Sequence, residues 1–386
     1  MTNKLHAAVF TTQFITSLSA VATLTVKNTS ISSITFISLR HPSFKQHADL
    51  IKKRLVPLTN SLNLKSRFIY EDELEEETSF HIMSTPRIDH HASIKLMDRI
   101  KPIQIIETGE SIGVEPQLYS LKSRIRRATL IKSIENREYL KKINYQYSLM
   151  VNNANTVILD HLLNLTNLLK NQSIGNNTPS SSQDLSKFPS SNHTILLLLP
   201  FIPNSSKNFS TKAINWFNKR ILRKSIKSYE PIKSRQSRFV LQSSQKVIDK
   251  RISSSNKDFT LCLKFHPKNK KNEKMLAEYY ESIVSSNRNV SIELLPADVP
   301  IESIIYEFKR FNSCQSLDVY GYGTNLLAVS IFLANKHCKV RLCKLGGDQN
   351  KLKCMIKSSI FALTNQTEYL RRKHIKRLLN NLNLTS

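Results

Sequence analysis

The sequence predicts an α/β protein built from two Rossmann-like parallel-sheet domains facing a cleft. Three observations carry that expectation. Short apolar runs of strand length alternate with amphipathic helical stretches in both halves of the chain. Residues 171–192 (NQSIGNNTPSSSQDLSKFPSSN) are almost pure turn and linker chemistry. The run Ile195-Leu196-Leu197-Leu198-Leu199 then restarts the pattern with the continuous apolarity of a strand covered on both faces. The resulting division is 1–170 for the first domain, 171–192 for the linker, 193–360 for the second domain and 361–386 for a basic C-terminal helix.

In the first half, Ala7-Ala8-Val9-Phe10 reads as a buried strand and about 12–22 as the helix after it. A secretory leader is the weaker reading of this stretch, because Thr11, Thr12, Gln13, Thr16 and Ser17 interrupt its apolar run. Residues 33–39 read as a second strand. Residues 43–56 read as a basic helix, with Phe44, Ala48, Ile51 and Leu55 at helical spacing. The acidic run from Glu71 to Glu77 suits a solvated loop or a first helical turn. Asp89-His90-His91 has metal-ligand residue types but no partner at ligand spacing, so it reads as a loop. Residues 102–106 form a third strand. Helices are expected over about 121–147 and 154–170.

The second half repeats the alternation. Strands are expected at 195–200, 259–265, 290–295, 317–320 and 338–343, with helices at about 272–285, 301–309 and 325–335. In open α/β sheets, ligands bind at the carboxyl ends of the strands. Short motifs sit at such ends.

Composition removes several classes of function. The 386 residues include only 7 glycines, far below the usual share of about 7 %. No G-x-x-x-x-G-K-[ST] phosphate loop and no G-x-G-x-x-G dinucleotide turn is present. No run of 18 apolar residues offers a membrane-spanning helix. The five cysteines form no C-x-x-C pair, which argues against zinc or a disulfide framework and fits a reducing cytoplasm. The formal net charge of +28 attracts anions: nucleic acid, acidic glycans, nucleotide-sugars or an anionic membrane face.

Four motifs carry chemistry. Lys264-Phe265-His266-Pro267 places an imidazole directly after a strand, with Pro267 suited to the first turn of a helix. Such an imidazole is well placed for a phosphate, and a buried loop histidine is the plain alternative. Gly321-Tyr322-Gly323-Thr324-Asn325 offers backbone amides and the Thr324 hydroxyl to an anion; a tight turn with Thr324 as helix cap is the alternative. Glu107-Thr108-Gly109-Glu110 puts a carboxylate at a strand end, where it could act as general base on a sugar hydroxyl. The alternative is a surface turn with two acids. Gly109-Glu110-Ser111-Ile112-Gly113 matches a nucleophile elbow, but Pro116 and a delayed helix fit that reading poorly.

Taken in order, acid-Gly, His-Pro and Gly-Thr resemble the bacterial sialyltransferases that carry acid-acid-Gly and His-Pro motifs. The chain looks closest to the polysialyltransferase and lipooligosaccharide sialyltransferase group, including glycosyltransferase family 52. The opening Val9-Phe10-Thr11-Thr12-Gln13-Phe14-Ile15 is also similar to that group's first strand and turn. The resemblance is clearest over 260–335, fair at 102–116 and thin elsewhere.

The resemblance implies a GT-B fold, an acceptor-side first domain, a nucleotide-sugar-binding second domain, CMP-sialic acid as donor and no required metal or cofactor. It makes Glu107 the base, His266 the contact to the CMP phosphate and Thr324 a second donor contact. Lys264, Pro267, Gly321, Gly323 and Asn325 would complete the donor site. The implied reaction inverts the sugar linkage while building a capsule or lipooligosaccharide glycan. Two residues depart from the pattern. Thr108 stands where the second acid is expected, leaving Glu110 as the substitute, and Asn325 replaces one of two expected hydroxyls.

Residues 207–251 hold thirteen basic and two acidic residues, densest at Lys219, Arg220, Arg223, Lys224 and Lys227. They form either a solvated basic insertion or a track for an anionic glycan acceptor or anionic lipid. A cytoplasmic protein, with peripheral contact at the inner membrane, fits the latter. The rival from another class is a non-catalytic polyanion or nucleic-acid binder on a degenerate transferase fold. A third reading is a GT-B transferase for another activated sugar. No helix-turn-helix, zinc finger or RNA-binding aromatic motif supports nucleic acid.

Overall fold

The computed structural model describes residues 4–27, 30–75, 79–88, 90–108, 144–147, 156–174, 193–199, 235–254, 258–266, 269, 273–284, 290–297, 299–307, 311, 314–321, 329, 332–333 and 339–344. Two parallel sheets organise them. The first runs β1 (Leu5–Thr11), β2 (Ile31–Ser38), β3 (Lys65–Tyr70), β4 (Ile82–Thr85), β5 (Gln104–Glu107) and β6 (Asn144–Tyr147). Its spatial order is β3-β2-β1-β4-β5-β6. The second runs β7 (His193–Leu198), β8 (Phe259–Lys264), β9 (Val290–Leu295), β10 (Ser316–Gly321) and β11 (Lys339–Lys344), in the order β11-β10-β7-β8-β9. Every strand pairing in both is parallel.

Both orders start at a central strand, add neighbours to one side, then reverse and add to the other. This is the doubly wound Rossmann pattern. The expected α/β class with two Rossmann-like sheets is therefore present. The order reverses between β1 and β4 in the first sheet and between β7 and β10 in the second.

The alternation of side chains along each strand sorts the core into layers. In β1, Ala7 and Val9 face one way and Ala8 and Phe10 the other. Ala8 and Phe10 meet Leu96, Met97 and Ile100 of α4 (His91–Ile100). Ala7 and Val9 join a larger core with α1 (Phe14–Lys27) and α5 (Thr156–Ile174). That same core takes in Leu196 and Leu198 of β7, Leu317 and Val319 of β10 and Ile304 of α8 (Ile301–Glu307). The two sheets thus share one apolar interior. The opposite face of the second sheet carries Ile195, Leu197, Leu261 and Leu263. It packs under α6 (Arg235–Ser254) and α7 (Glu273–Val284), through Leu241, Ile248, Leu276 and Tyr280.

Local sequence explains the irregular points. The expected helix over 43–56 is α2 (Pro42–Leu50), a π-helical turn (Ile51–Leu55) and α3 (Val56–Ser61). The Val56 amide reaches back to the Ile51 carbonyl, one residue further than in an α-helix. Pro57 follows, with no N–H for an ordinary continuation, and the wider turn absorbs the misfit. α4 ends at Lys101, which takes the left-handed φ of 43° before Pro102 and donates its amide to the Met97 carbonyl. In this glycine-poor chain a lysine fills a position that glycine usually holds.

Several expectations need correction. His91 is not in a loop but opens α4, where successive turns bury Ala92, Leu96, Met97 and Ile100. Residues 144–147 are not helical: they pair with β5 as its outer neighbour. The helix expected to stop near 170 continues to Ile174, into the stretch assigned to the linker. Part of the basic stretch, from Arg235, is the core-packed helix α6. The remaining linker residues and the C-terminal helix lie outside the described residues.

Candidate functional site

Lys264 is the last residue of β8, and its alternation places it on the Cys262 face, toward the shared core. It is 6 % exposed, and a buried ammonium needs partners. Its Nζ donates to the Phe265 carbonyl at 3.1 Å and to the Ala297 carbonyl at 3.0 Å. Lys264 therefore ties the end of β8 to the loop that follows β9. Its backbone carbonyl accepts the Leu199 amide, which carries the same tie to the end of β7.

His266 follows two residues later and is partly exposed. Its carbonyl accepts the Asn269 amide at 2.7 Å, and Asn269 is fully buried. The turn that presents the imidazole is thus pinned on both sides of the histidine. Gly321 ends β10, and β10 and β8 flank the central β7. Lys264, His266 and Gly321 consequently share the carboxyl edge of the second sheet, beside its reversal point. Open α/β sheets bind ligands at that edge.

Glu107 ends β5, opposite Thr85 of β4. Its side chain is fully buried, and Oε1 accepts the Ile88 amide at 3.2 Å in the connection from β4 to α4. Thr108 is buried too, and its amide and hydroxyl both donate to the Thr85 carbonyl, at 2.9 and 3.3 Å. The Thr85 hydroxyl in turn lies 2.8 Å from that of Ser93 on α4. So Thr108, in the place expected for a second acid, is a structural clamp between β5 and β4. Glu110 and Ser111 lie outside the described residues, as do Pro267, Gly323, Thr324, Asn325, Lys219, Arg220, Arg223, Lys224 and Lys227.

His47 and Glu302 are the polar residues at this place that motif reading misses. His47 lies on α2, after the carboxyl end of β2, and its Nδ1 accepts the amide of Phe14, the first residue of α1, at 3.3 Å. The surroundings desolvate its imidazole and push it below the ordinary histidine value; Glu302 pulls it back up, and Lys264 lowers it further. Glu302 is buried in the first turn of α8, after the carboxyl end of β9. Phe14 also meets Phe332, with ring centroids 6.2 Å apart. The carboxyl edges of the two sheets therefore approach each other around His47. A signal for it exists in the sequence: His47 is three residues after Phe44 and four before Ile51, on the apolar stripe of its helix.

Among the described residues no cluster of His, Cys, Asp and Glu is arranged to hold a metal, and no helix is long and apolar enough to cross a membrane. Cys262 and Cys314 are buried thiols that donate to the Glu293 carboxylate and the Phe311 carbonyl.

No family model matches the chain, and no curated protein matches it in sequence. The solved structures to which the chain is similar include two. One is UDP-GlcNAc 2-epimerase from Neisseria meningitidis bound to UDP-GlcNAc, at 11 % identity over 99 % of this chain and 94 % of that one, with a TM-score of 0.38. The other is an E. coli trehalose-6-phosphate protein bound with UDP-2-fluoro glucose, at 9 % identity over 96 % and 73 % of the two chains, with a TM-score of 0.31. At those identities and scores neither likeness assigns a reaction.

Proposed function

We propose that the protein is a GT-B-like glycosyltransferase that uses a nucleotide-activated sugar, with CMP-sialic acid as donor and an anionic surface glycan as acceptor. The observation that carries this reading is the pinned turn at the end of β8. There a partly exposed His266 sits on the carboxyl edge of a Rossmann-like sheet, next to the strand where the order reverses. A nucleotide phosphate bound at such an edge needs a donor that neutralises charge as the bond to the sugar breaks. His266 fills that role in the proposal. Lys264 holds its turn in place, and Gly321-Tyr322-Gly323-Thr324-Asn325 supplies the neighbouring phosphate or cytidine contacts. The acceptor hydroxyl needs a base, assigned to Glu107 or to Glu110 three residues on. The transfer needs no metal or cofactor in this reading. The basic stretch around Lys219–Lys227 guides the anionic acceptor, and the inner membrane face is the proposed place of work.

The test is CMP release from CMP-sialic acid by the purified protein. His266→Ala should abolish CMP binding or turnover. Persistence of both removes His266 from the site.

A second reading is favoured by one observation. The Glu107 carboxylate is fully buried and bonded to a backbone amide, and its neighbour Thr108 is a clamp rather than an acid. A polyanion or nucleic-acid binder on a degenerate transferase fold accounts for this directly. Salt-sensitive DNA binding without CMP binding would select it.

A further inference from the structure

His47 stands where three things meet: the start of α1, the end of β8 and the start of α8. The Phe14 amide at the head of α1 has no partner within its own helix, as first-turn amides do not. Nδ1 of His47 takes it at 3.3 Å. An imidazole nitrogen can accept only while it carries no proton, so this bond requires the neutral ring with its proton on Nε2. Two charged groups of the second sheet's side bear on the ring: Lys264 from the end of β8 and Glu302 from α8. Both are buried. The ring of Phe14 rests on Phe332, so the head of α1 also contacts the second unit through its side chain.

We propose that His47 is a pH-sensitive latch between the two sheets, closed by the neutral ring on the Phe14 amide and opened when the ring takes up one proton. Proton uptake at Nδ1 turns the acceptor into a donor facing another donor, and the bond is lost. The new cation then sits against the positive end of α1 and near the Lys264 ammonium. Among the described residues Glu302 compensates. It favours the charged ring, whereas burial and Lys264 resist it, so opening lies below the ordinary histidine range. Opening releases the head of α1, and with it the Thr11-Thr12-Gln13 turn, from the edge that carries His266. The latch is independent of which sugar, if any, the protein transfers.

Hydrogen–deuterium exchange of the full chain tests it at about pH 7.5 and at a pH well below the ordinary imidazole value of about 6.5, with rates corrected for intrinsic pH dependence. Peptides over residues 12–20 and 299–307 should both lose protection several-fold at the lower pH. His47→Gln, whose amide oxygen can accept the Phe14 bond without titrating, should show no such change. Equal losses in the two proteins, or none in the native chain, overturn the latch. Loss confined to 12–20 makes His47 a helix cap only, which also overturns it. If His47→Gln does not fold, Glu302→Gln serves: removing that carboxylate should move the exchange midpoint to lower pH, and an unmoved midpoint contradicts the proposal.

Discussion

The ammonium of Lys264 lies 3.0 Å from the Ala297 carbonyl, so the strand leading to His266 is fastened to the loop after the neighbouring strand. Removing the ammonium leaves that carbonyl and the Phe265 carbonyl without their charged donor. Lys264→Met should cost about 2–3 kcal/mol in urea unfolding near neutral pH. Arginine should not rescue it, because a planar fork cannot reproduce the same two bonds in the same space. A loss of less than about 0.5 kcal/mol would mean that the buried ammonium is dispensable.

Glu107 gives two separable readouts. Glu107→Ala strands the Ile88 amide in the interior and should destabilise the protein by about 1–3 kcal/mol. Glu107→Gln keeps an oxygen for that amide but cannot take a proton. If Glu107 is the base, turnover in Glu107→Gln should fall about 100-fold or more while donor binding stays. Retained turnover in Glu107→Gln, with loss in Glu110→Gln, moves the base to Glu110.

Two histidines make the fold acid-sensitive in the same direction. His47 and His161 are both held below the ordinary imidazole value, chiefly by desolvation. The unfolded chain therefore binds more protons than the native one below about pH 6.5, and stability falls as pH drops from there toward each depressed value. The His161 Nε2 is buried with no hydrogen-bond partner among the described residues. His161→Leu should raise the midpoint of thermal unfolding at neutral pH and flatten its acid decline. An unchanged slope between about pH 7 and pH 5 would exclude His161 as a contributor.

The Phe14–Phe332 contact lies within the core that the two sheets share, and both side chains are fully buried. Phe14→Ala and Phe332→Ala should each cost about 3–5 kcal/mol. A double-mutant cycle between them should return a coupling of about 0.5–1.5 kcal/mol. Strict additivity would show that the rings do not hold the junction together.

What the sequence revealed depended on how each segment is buried. β1, β7 and β8 lie inside their sheets with both faces covered, so Ala7–Phe10, Ile195–Leu199 and Phe259–Phe265 announce themselves as apolar runs. β3 is an edge strand, and Lys65 and Arg67 alternate with partly buried residues, so its strand character is hidden by charge. β4 has only four residues, too few for a period to show. α4 begins at the histidine pair that reads as a loop for want of a partner at ligand spacing, although its apolar stripe follows at once. At the site, the Lys264–His266 turn was legible as a strand-to-helix junction. The burial of Glu107 was not, because it follows from the Ile88 amide nineteen residues away in a connection the sequence does not mark. The apolar stripe marks His47 as an inward-facing residue, but not its role: Phe14, Lys264 and Glu302 come near it only through the fold.

The most direct test of the central claim is calorimetric titration of the purified protein with CMP-sialic acid and a panel of other activated sugars, alongside His266→Ala. The account predicts saturable binding of the CMP-linked donor, weaker or absent binding of the others, and loss of the signal in His266→Ala. Binding of no nucleotide-sugar at all, or binding indifferent to His266, would contradict it.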